Sequence, residues 1–158
     1  MRTCLSVYGA NDRHVWVGDS FEGLPVPDPA KYPADADDKH HTYHELRVSL
    51  DEVKKNFVRY GLLDANVRFL KGWFRDTLQE SPIERLAVSR LDGDMYESTV
   101  DVLTALYSRL SVGGYVIVDD YGAVKGCRLA VDDFRKNSGI TDPLSPIDWT
   151  GVFWKRTR

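Results

Sequence analysis

The sequence predicts an α/β fold built on a largely parallel sheet. Short β-rich apolar runs alternate with helical apolar stripes along the chain, as strands and crossover helices do. Some of those runs are apolar on both faces, which suits strands covered by helices on both sides. Several also end in aspartate. At 158 residues, with 42% apolar side chains, the chain has the size of one domain and can bury a core. A single domain over residues 1–158 is therefore expected.

The first strand is His14-Val15-Trp16-Val17-Gly18, which stops at Asp19-Ser20-Phe21-Glu22-Gly23. From Leu24 to Tyr43 the periodicity disappears. Pro25, Pro27, Pro29 and Pro33 interrupt an acidic segment that ends near His40 and His41. So long an irregular stretch inside a compact domain predicts a lid, residues 24–43, mobile without ligand. Ser49-Leu50-Asp51-Glu52 has the form of a capping box, and Leu50, Val53, Phe57 and Tyr60 continue at helical spacing to Gly61. Val67 to Leu70 is a second strand and Leu86 to Leu91 a third, running into Asp92-Gly93-Asp94. Val100, Leu103, Tyr107 and Leu110 mark a helix. Gly113-Gly114 then reads as a break before a fourth strand, Tyr115 to Val118, which ends in Asp119-Asp120. Val124, Cys127, Val131 and Phe134 mark a last helix, and two β-rich pieces between Leu144 and Lys155, broken at Thr150-Gly151, predict a terminal hairpin.

Composition excludes several roles. A net charge of -3 with no run of Lys or Arg offers no footprint for nucleic-acid phosphates or anionic lipid. No segment approaches the ~20 apolar residues of a membrane span. Cys4 and Cys127 lie far apart and form no C-x-x-C pair, so neither a thiolate metal site nor a disulfide framework is expected. These features predict a cytoplasmic protein with no nucleic-acid or membrane partner, and leave a homo-oligomer open.

In open α/β sheets, ligands bind outside the carboxyl ends of the strands. Here those ends carry Asp19, Asp92 with Asp94, and Asp119-Asp120. Clustered carboxylates repel one another unless a cation or hydrogen-bond donors hold them, and an all-oxygen set points to Mg²⁺, with Mn²⁺ or Ca²⁺ as variants. Each feature also has a plainer reading. Asp119-Asp120 could cap the next helix, Asp92-Gly93-Asp94 could be an ordinary turn, and the lid histidines could be merely solvated. Trp73 could pack in the core or stack on an adenine.

Taken in order, Asp19 to Pro25, Val48 to Phe57, Tyr60 to Leu63, Gly72-Trp73-Phe74, Leu91 to Thr99 and Val118 to Gly122 resemble the macrocin O-methyltransferase (TylF/MycF) family along nearly the whole chain. The resemblance implies a Rossmann-like class I methyltransferase fold. It also implies transfer of a methyl group from S-adenosylmethionine to a sugar hydroxyl on a macrolide-like natural product, a small-molecule partner. Asp92, Asp119 and Asp120 would hold Mg²⁺. Asp19 would take the cofactor ribose, with Ser20 and Phe21 beside it, and Gly72, Trp73 and Phe74 would lie at the adenine, with Asp92 also near the cofactor. Asp92, His40 or His41 would accept the hydroxyl proton.

The same resemblance implies that a strand and a glycine-containing loop found in relatives, next to the strand ending in Asp19, have no counterpart in these residues. Three outcomes are then expected for the gap between the strands ending in Asp19 and Asp92: direct pairing, filling by another segment, or poor folding. Little cofactor affinity and no methyl transfer by the chain alone would follow. Two rival functions stay open at this point, a glycosyltransferase using Asp92-Gly93-Asp94 with a nucleotide-sugar, and a remnant without catalysis.

Overall fold

A computed structural model describes all residues, 1–158. The chain opens with a short helix α1 (Arg2–Val7) and then forms β1 (Val15–Asp19), α2 (Leu50–Arg59), β2 (Val67–Lys71), α3 (Phe74–Thr77) and β3 (Leu86–Leu91). It continues with α4 (Tyr96–Leu106), β4 (Leu110–Val118), α5 (Lys125–Asn137), β5 (Ser145–Pro146) and β6 (Val152–Lys155). Every strand and every long helix expected from the residue pattern is present. The resemblance implies a helix at the start of the chain, where α1 lies, and α3 is an addition too short for periodicity to reveal.

The predicted capping box forms in part: the Ser49 hydroxyl accepts the Glu52 N–H at 3.3 Å and starts α2. No residue of α2 is fully buried. Its apolar stripe rests on β2 through an edge-on contact of Phe57 with Phe69, ring centres 5.9 Å apart. The main core lies elsewhere, where Val116 and Val118 of β4, Trp154 of β6, Cys127 and Val131 of α5 and Leu103 of α4 pack into one cluster. Burial pushes the Cys127 thiol up to about 12, so it acts as a small apolar filler.

The strand β4 is longer than its sequence suggests. Gly113 and Gly114 were expected to precede it, yet both lie inside it, because they form a bulge. Leu86 pairs with Leu110 but Val88 pairs with Tyr115, a shift of register across the glycines. Gly113 has φ +86, and a Cβ on Gly114 would stand 2.8 Å from the Ala87 carbonyl oxygen. Only glycine fits there, and the bulge keeps Val116 and Val118 facing the core.

Two parallel pairs, β1 with β2 and β3 with β4, carry the acidic strand ends. The terminal hairpin forms as expected, and β6 also joins β4 antiparallel, Val118 opposite Val152. The sheet is split. β1 bonds only to β2, and β3, β4, β6 and β5 form a separate four-stranded sheet. Direct pairing of the strands ending in Asp19 and Asp92, one outcome considered for the gap, does not occur.

Candidate active site at the acidic strand ends

Although the sheets are separate, the strand ends meet. A cavity of about 210 Å³ is lined by Asp19 and Ser20 after β1, Trp73 and Phe74 after β2, and Asp92 and Asp94 after β3. The parallel direction within each pair is what delivers these residues to one side.

Each wall has a local cause. After β1 the chain reverses sharply: Asp19 Oδ1 accepts the Phe21 N–H at 2.5 Å, Ser20 Oγ donates to the Gly23 carbonyl at 2.7 Å, and Phe21 takes φ +59. This leaves one oxygen of the exposed Asp19 carboxylate without a partner in the turn. The Phe21 ring is buried against Phe69 and Phe21 does not line the crevice. Beside it, the Gly72 N–H donates to the Asp19 carbonyl at 2.9 Å, which ties the Gly72-Trp73-Phe74 turn to the first strand end. Gly72 has φ +143, and a Cβ would meet the Thr77 methyl at 2.6 Å. The Phe74 ring packs toward the core and Trp73 starts α3 beneath the Arg75 guanidinium, 6.0 Å away.

The acidic group is not explained by capping. The residue before α5 is Val124, with no side-chain cap, so Asp119 and Asp120 are not spent on that helix. Met95 precedes α4 and likewise provides none. Asp94 has φ +55, an uncommon conformation for a residue with a side chain, and its N–H points to Asp120 Oδ2 at 3.4 Å. Loss of solvation, then the Asp94 and Asp92 charges, pushes Asp120 up to about 6. Asp92 is raised by the same loss of solvation and by Asp119, and Asp94 by burial, with His40 opposing.

Arg90 is the cation these carboxylates face. Its Nε donates to Asp119 Oδ1 at 3.2 Å, its terminal nitrogen also bonds the other Asp119 oxygen, and Asp92 lies 3.5 Å away. No three His, Cys, Asp or Glu side chains converge closely enough to hold a metal ion in this arrangement. The donors of Asp92, Asp119 and Asp120 are all oxygen, the kind that hard divalent cations take.

The lid segment contains two 3-10 turns, at Pro33–Asp35 and His40–Thr42, and a third follows it at His44–Leu46. His40 is braced by Asp38, with Nδ1 and Oδ2 2.7 Å apart. Burial lowers the His40 pKa, but the Asp38 hydrogen bond and the charges of Asp38, Asp94 and Asp120 outweigh it and leave it raised. His40 thus stands within electrostatic reach of the acidic group. His41 makes no hydrogen bond to that group, and its Nδ1 is buried without a partner. Sequence reasoning missed Asp38, Arg90 and Asp35. Asp38 and Asp35 looked like ordinary loop acids and Arg90 like an outward strand residue, so only their spatial partners reveal them.

Residues 1–156 match the Macrocin-O-methyltransferase (TylF) family. The chain belongs to that family. It is 54% identical over 158 residues to the 8-demethyl-8-(2,3-dimethoxy-alpha-L-rhamnosyl)-tetracenomycin-C 4'-O-methyltransferase of Streptomyces olivaceus, a match covering 99% of this chain and 60% of that protein. Mycinamicin III 3''-O-methyltransferase of Micromonospora griseorubida is 50% identical over 159 residues, covering 99% and 62%. The chain therefore spans about three fifths of the length of these relatives. Among solved structures, the O-methyltransferase NovP superposes with a TM-score of 0.97 at 52% identity, over 100% of this chain and 66% of that one. The fold is thus that of the class I methyltransferases, as the resemblance implied, and it has the α/β character that the alternation of strands and helices predicted.

Proposed function

We propose that this protein transfers a methyl group from S-adenosylmethionine to a sugar hydroxyl of a glycosylated natural product, in the cytoplasm. The observation that carries the reading is the convergence of Asp19, Trp73, Phe74 and Asp92 on one crevice. Membership in the family supplies the reaction class. The tetracenomycin relative, whose named substrate carries a rhamnosyl group, supports the acceptor class. The reducing compartment agrees with two free cysteines, and no helix is long and apolar enough to cross a membrane.

In this reading the free oxygen of Asp19 accepts the ribose hydroxyls, as an acidic residue ending a strand does in nucleotide folds. The turn at Ser20 and Phe21 shapes the wall behind it. Gly72 permits close approach, and Trp73 and Phe74 offer aromatic faces to the adenine. Asp92, Asp119 and Asp120 would be the residues to hold Mg²⁺, in competition with Arg90, and the ion would supply a lowered pKa to a hydroxyl that is a poor nucleophile at neutral pH. His40 takes the hydroxyl proton on Nε2, while Nδ1–H donates to Asp38 and fixes the ring's tautomer and direction. A second reading gives the proton to Asp92, whose carboxylate lines the same crevice. His41 lines the lid without a proton role.

The test is calorimetry of the chain with S-adenosylhomocysteine and with a UDP-sugar, followed by transfer of a labelled methyl group to a rhamnosylated acceptor in the presence of Mg²⁺. Binding of S-adenosylhomocysteine that Asp19→Ala abolishes supports the assignment. Binding of the UDP-sugar alone overturns it.

A further inference from the structure

Asp35 lies in the segment read as a lid, yet it is only 2% exposed. Its carboxylate reaches the start of α4. Oδ1 accepts the Tyr96 N–H at 2.7 Å and Oδ2 accepts the Glu97 N–H at 2.9 Å. These are donors that a helix start leaves without intrahelical partners, and the residue in the capping position, Met95, cannot satisfy them. A distant acid does so instead. Gly126 in α5 makes the room: a Cβ there would stand 2.7 Å from Asp35 Oδ1 and 3.0 Å from the Tyr96 nitrogen. The Tyr32 and Tyr96 rings, 5.9 Å apart, flank the same junction.

Two short connections lead from this junction to the crevice. On one side, α4 follows directly from the Asp92-Gly93-Asp94 turn. On the other, the Asp35 carbonyl accepts the Asp38 N–H at 3.0 Å. Asp38 in turn accepts the His40 N–H on Oδ1 at 2.9 Å and faces the His40 ring through Oδ2. The helix start, the lid backbone and the imidazole are therefore joined by consecutive hydrogen bonds.

We propose that Asp35 is a positioning residue that latches the lid to α4 and thereby, through Asp38, fixes where His40 stands. The functional half of this proposal rests on the reading of the crevice as the methyl-transfer site. Asp35 touches neither cofactor nor acceptor in it; it acts through Asp38 and the helix start.

Three variants test the latch in the full chain: Asp35→Ala, Asp35→Asn, which keeps one acceptor oxygen, and Gly126→Ala, which displaces the carboxylate without altering it. Amide hydrogen exchange should rise about tenfold or more at Tyr96, Glu97 and residues 36–42 in Asp35→Ala and Gly126→Ala, with the β4 amides unchanged. Asp35→Asn should fall between them and the wild type. Methyl transfer should lose about 10- to 100-fold in kcat, the scale expected for a displaced catalytic group, with KM for S-adenosylmethionine within about twofold. Unchanged exchange at Tyr96, Glu97 and the lid in Asp35→Ala overturns the latch. Faster lid exchange with undiminished kcat overturns its link to His40. Faster exchange in a protein whose wild type transfers no methyl group, alone or with the tetracenomycin relative's unmatched residues supplied as a separate polypeptide, upholds the latch and overturns the proposed function instead.

Discussion

The guanidinium of Arg90 sits against Asp119, Nε 3.2 Å from Oδ1, with the Asp92 carboxylate 3.5 Å from the same side chain. Two of the three carboxylates assigned to Mg²⁺ thus already face a protein cation. Arg90 is half exposed, with side-chain accessibility of 50%, so it has room to leave. This arrangement relieves the repulsion among strand-end acids when no other cation is bound.

Competition between Arg90 and a divalent ion follows. The wild type should bind Mg²⁺ or Mn²⁺ with a dissociation constant of about 10⁻⁴–10⁻³ M, the range of modest oxygen-ligand sites. Asp119→Asn should weaken binding at least about tenfold, since it removes an anionic ligand, while Arg90→Gln should tighten it. Calorimetry or Mn²⁺ electron paramagnetic resonance measures both. Equal affinity in all three proteins would place the ion elsewhere.

Capping gives a simpler stability prediction. Ser49→Ala removes the acceptor for the Glu52 N–H at the start of α2, a helix with no fully buried residue to compensate. The loss should be about 1 kcal/mol, seen as a fall of about 2–4 °C in Tm for a domain of this size. Calorimetric melting of the two proteins under one set of conditions checks it.

Ser49 also shows what was legible in the residues. Local signals survive because their causes are local: the capping box, the apolar stripe of α2 and the four apolar runs need only near neighbours. Gly113-Gly114 misled because a bulge depends on the facing strand, here the Ala87 carbonyl. The acids Asp19, Asp92, Asp119 and Asp120 could be found because a strand's end marks its own location in an α/β fold. Asp35 and Asp38 could not, since a loop acid reveals its role only through a partner far along the chain, such as the Glu97 N–H.

Asp101 yields a pH prediction. Burial, then the Glu97 charge, raises its carboxyl from the ordinary 3.8 to about 6, although Lys31 and Arg75 pull it down. Because the folded value is the higher one, folding favours the protonated form. That contribution is fully present below about pH 4 and is lost as pH rises through about 6. Asp101→Asn keeps a neutral side chain of the same shape at every pH. It should therefore melt like the wild type at pH 4 and about 2–4 °C higher at pH 8, a gain of roughly 1 kcal/mol after allowing for partial solvent screening. A wild type that outlasts the variant at pH 8 would show that the Lys31 and Arg75 attractions dominate.

The last prediction concerns the split between β1 and β3. Each bonds to a neighbour on one side only, so the facing edges present backbone N–H and C=O groups with no sheet partner. An unsatisfied group that is also shielded from water costs about 1–3 kcal/mol, and several together rival the ~5–15 kcal/mol net stability of a domain. The edges must then stay hydrated or acquire a partner strand. Hydration predicts fast amide exchange along β1 and the facing side of β3, in contrast to slow exchange in β4, which is paired on both sides. It also predicts weak affinity for S-adenosylhomocysteine, because Asp19 and Asp92, which share the crevice, end strands of two sheets with no hydrogen bonds between them. The longer relatives offer a way to supply a partner: the residues of the tetracenomycin relative outside the matched region, added as a separate polypeptide, should slow exchange at both edges and tighten cofactor binding together. Exchange at β1 and β3 as slow as in β4 for the chain alone, with tight cofactor binding by a monomer, would show that the two sheets are already locked and that the gap needs no strand.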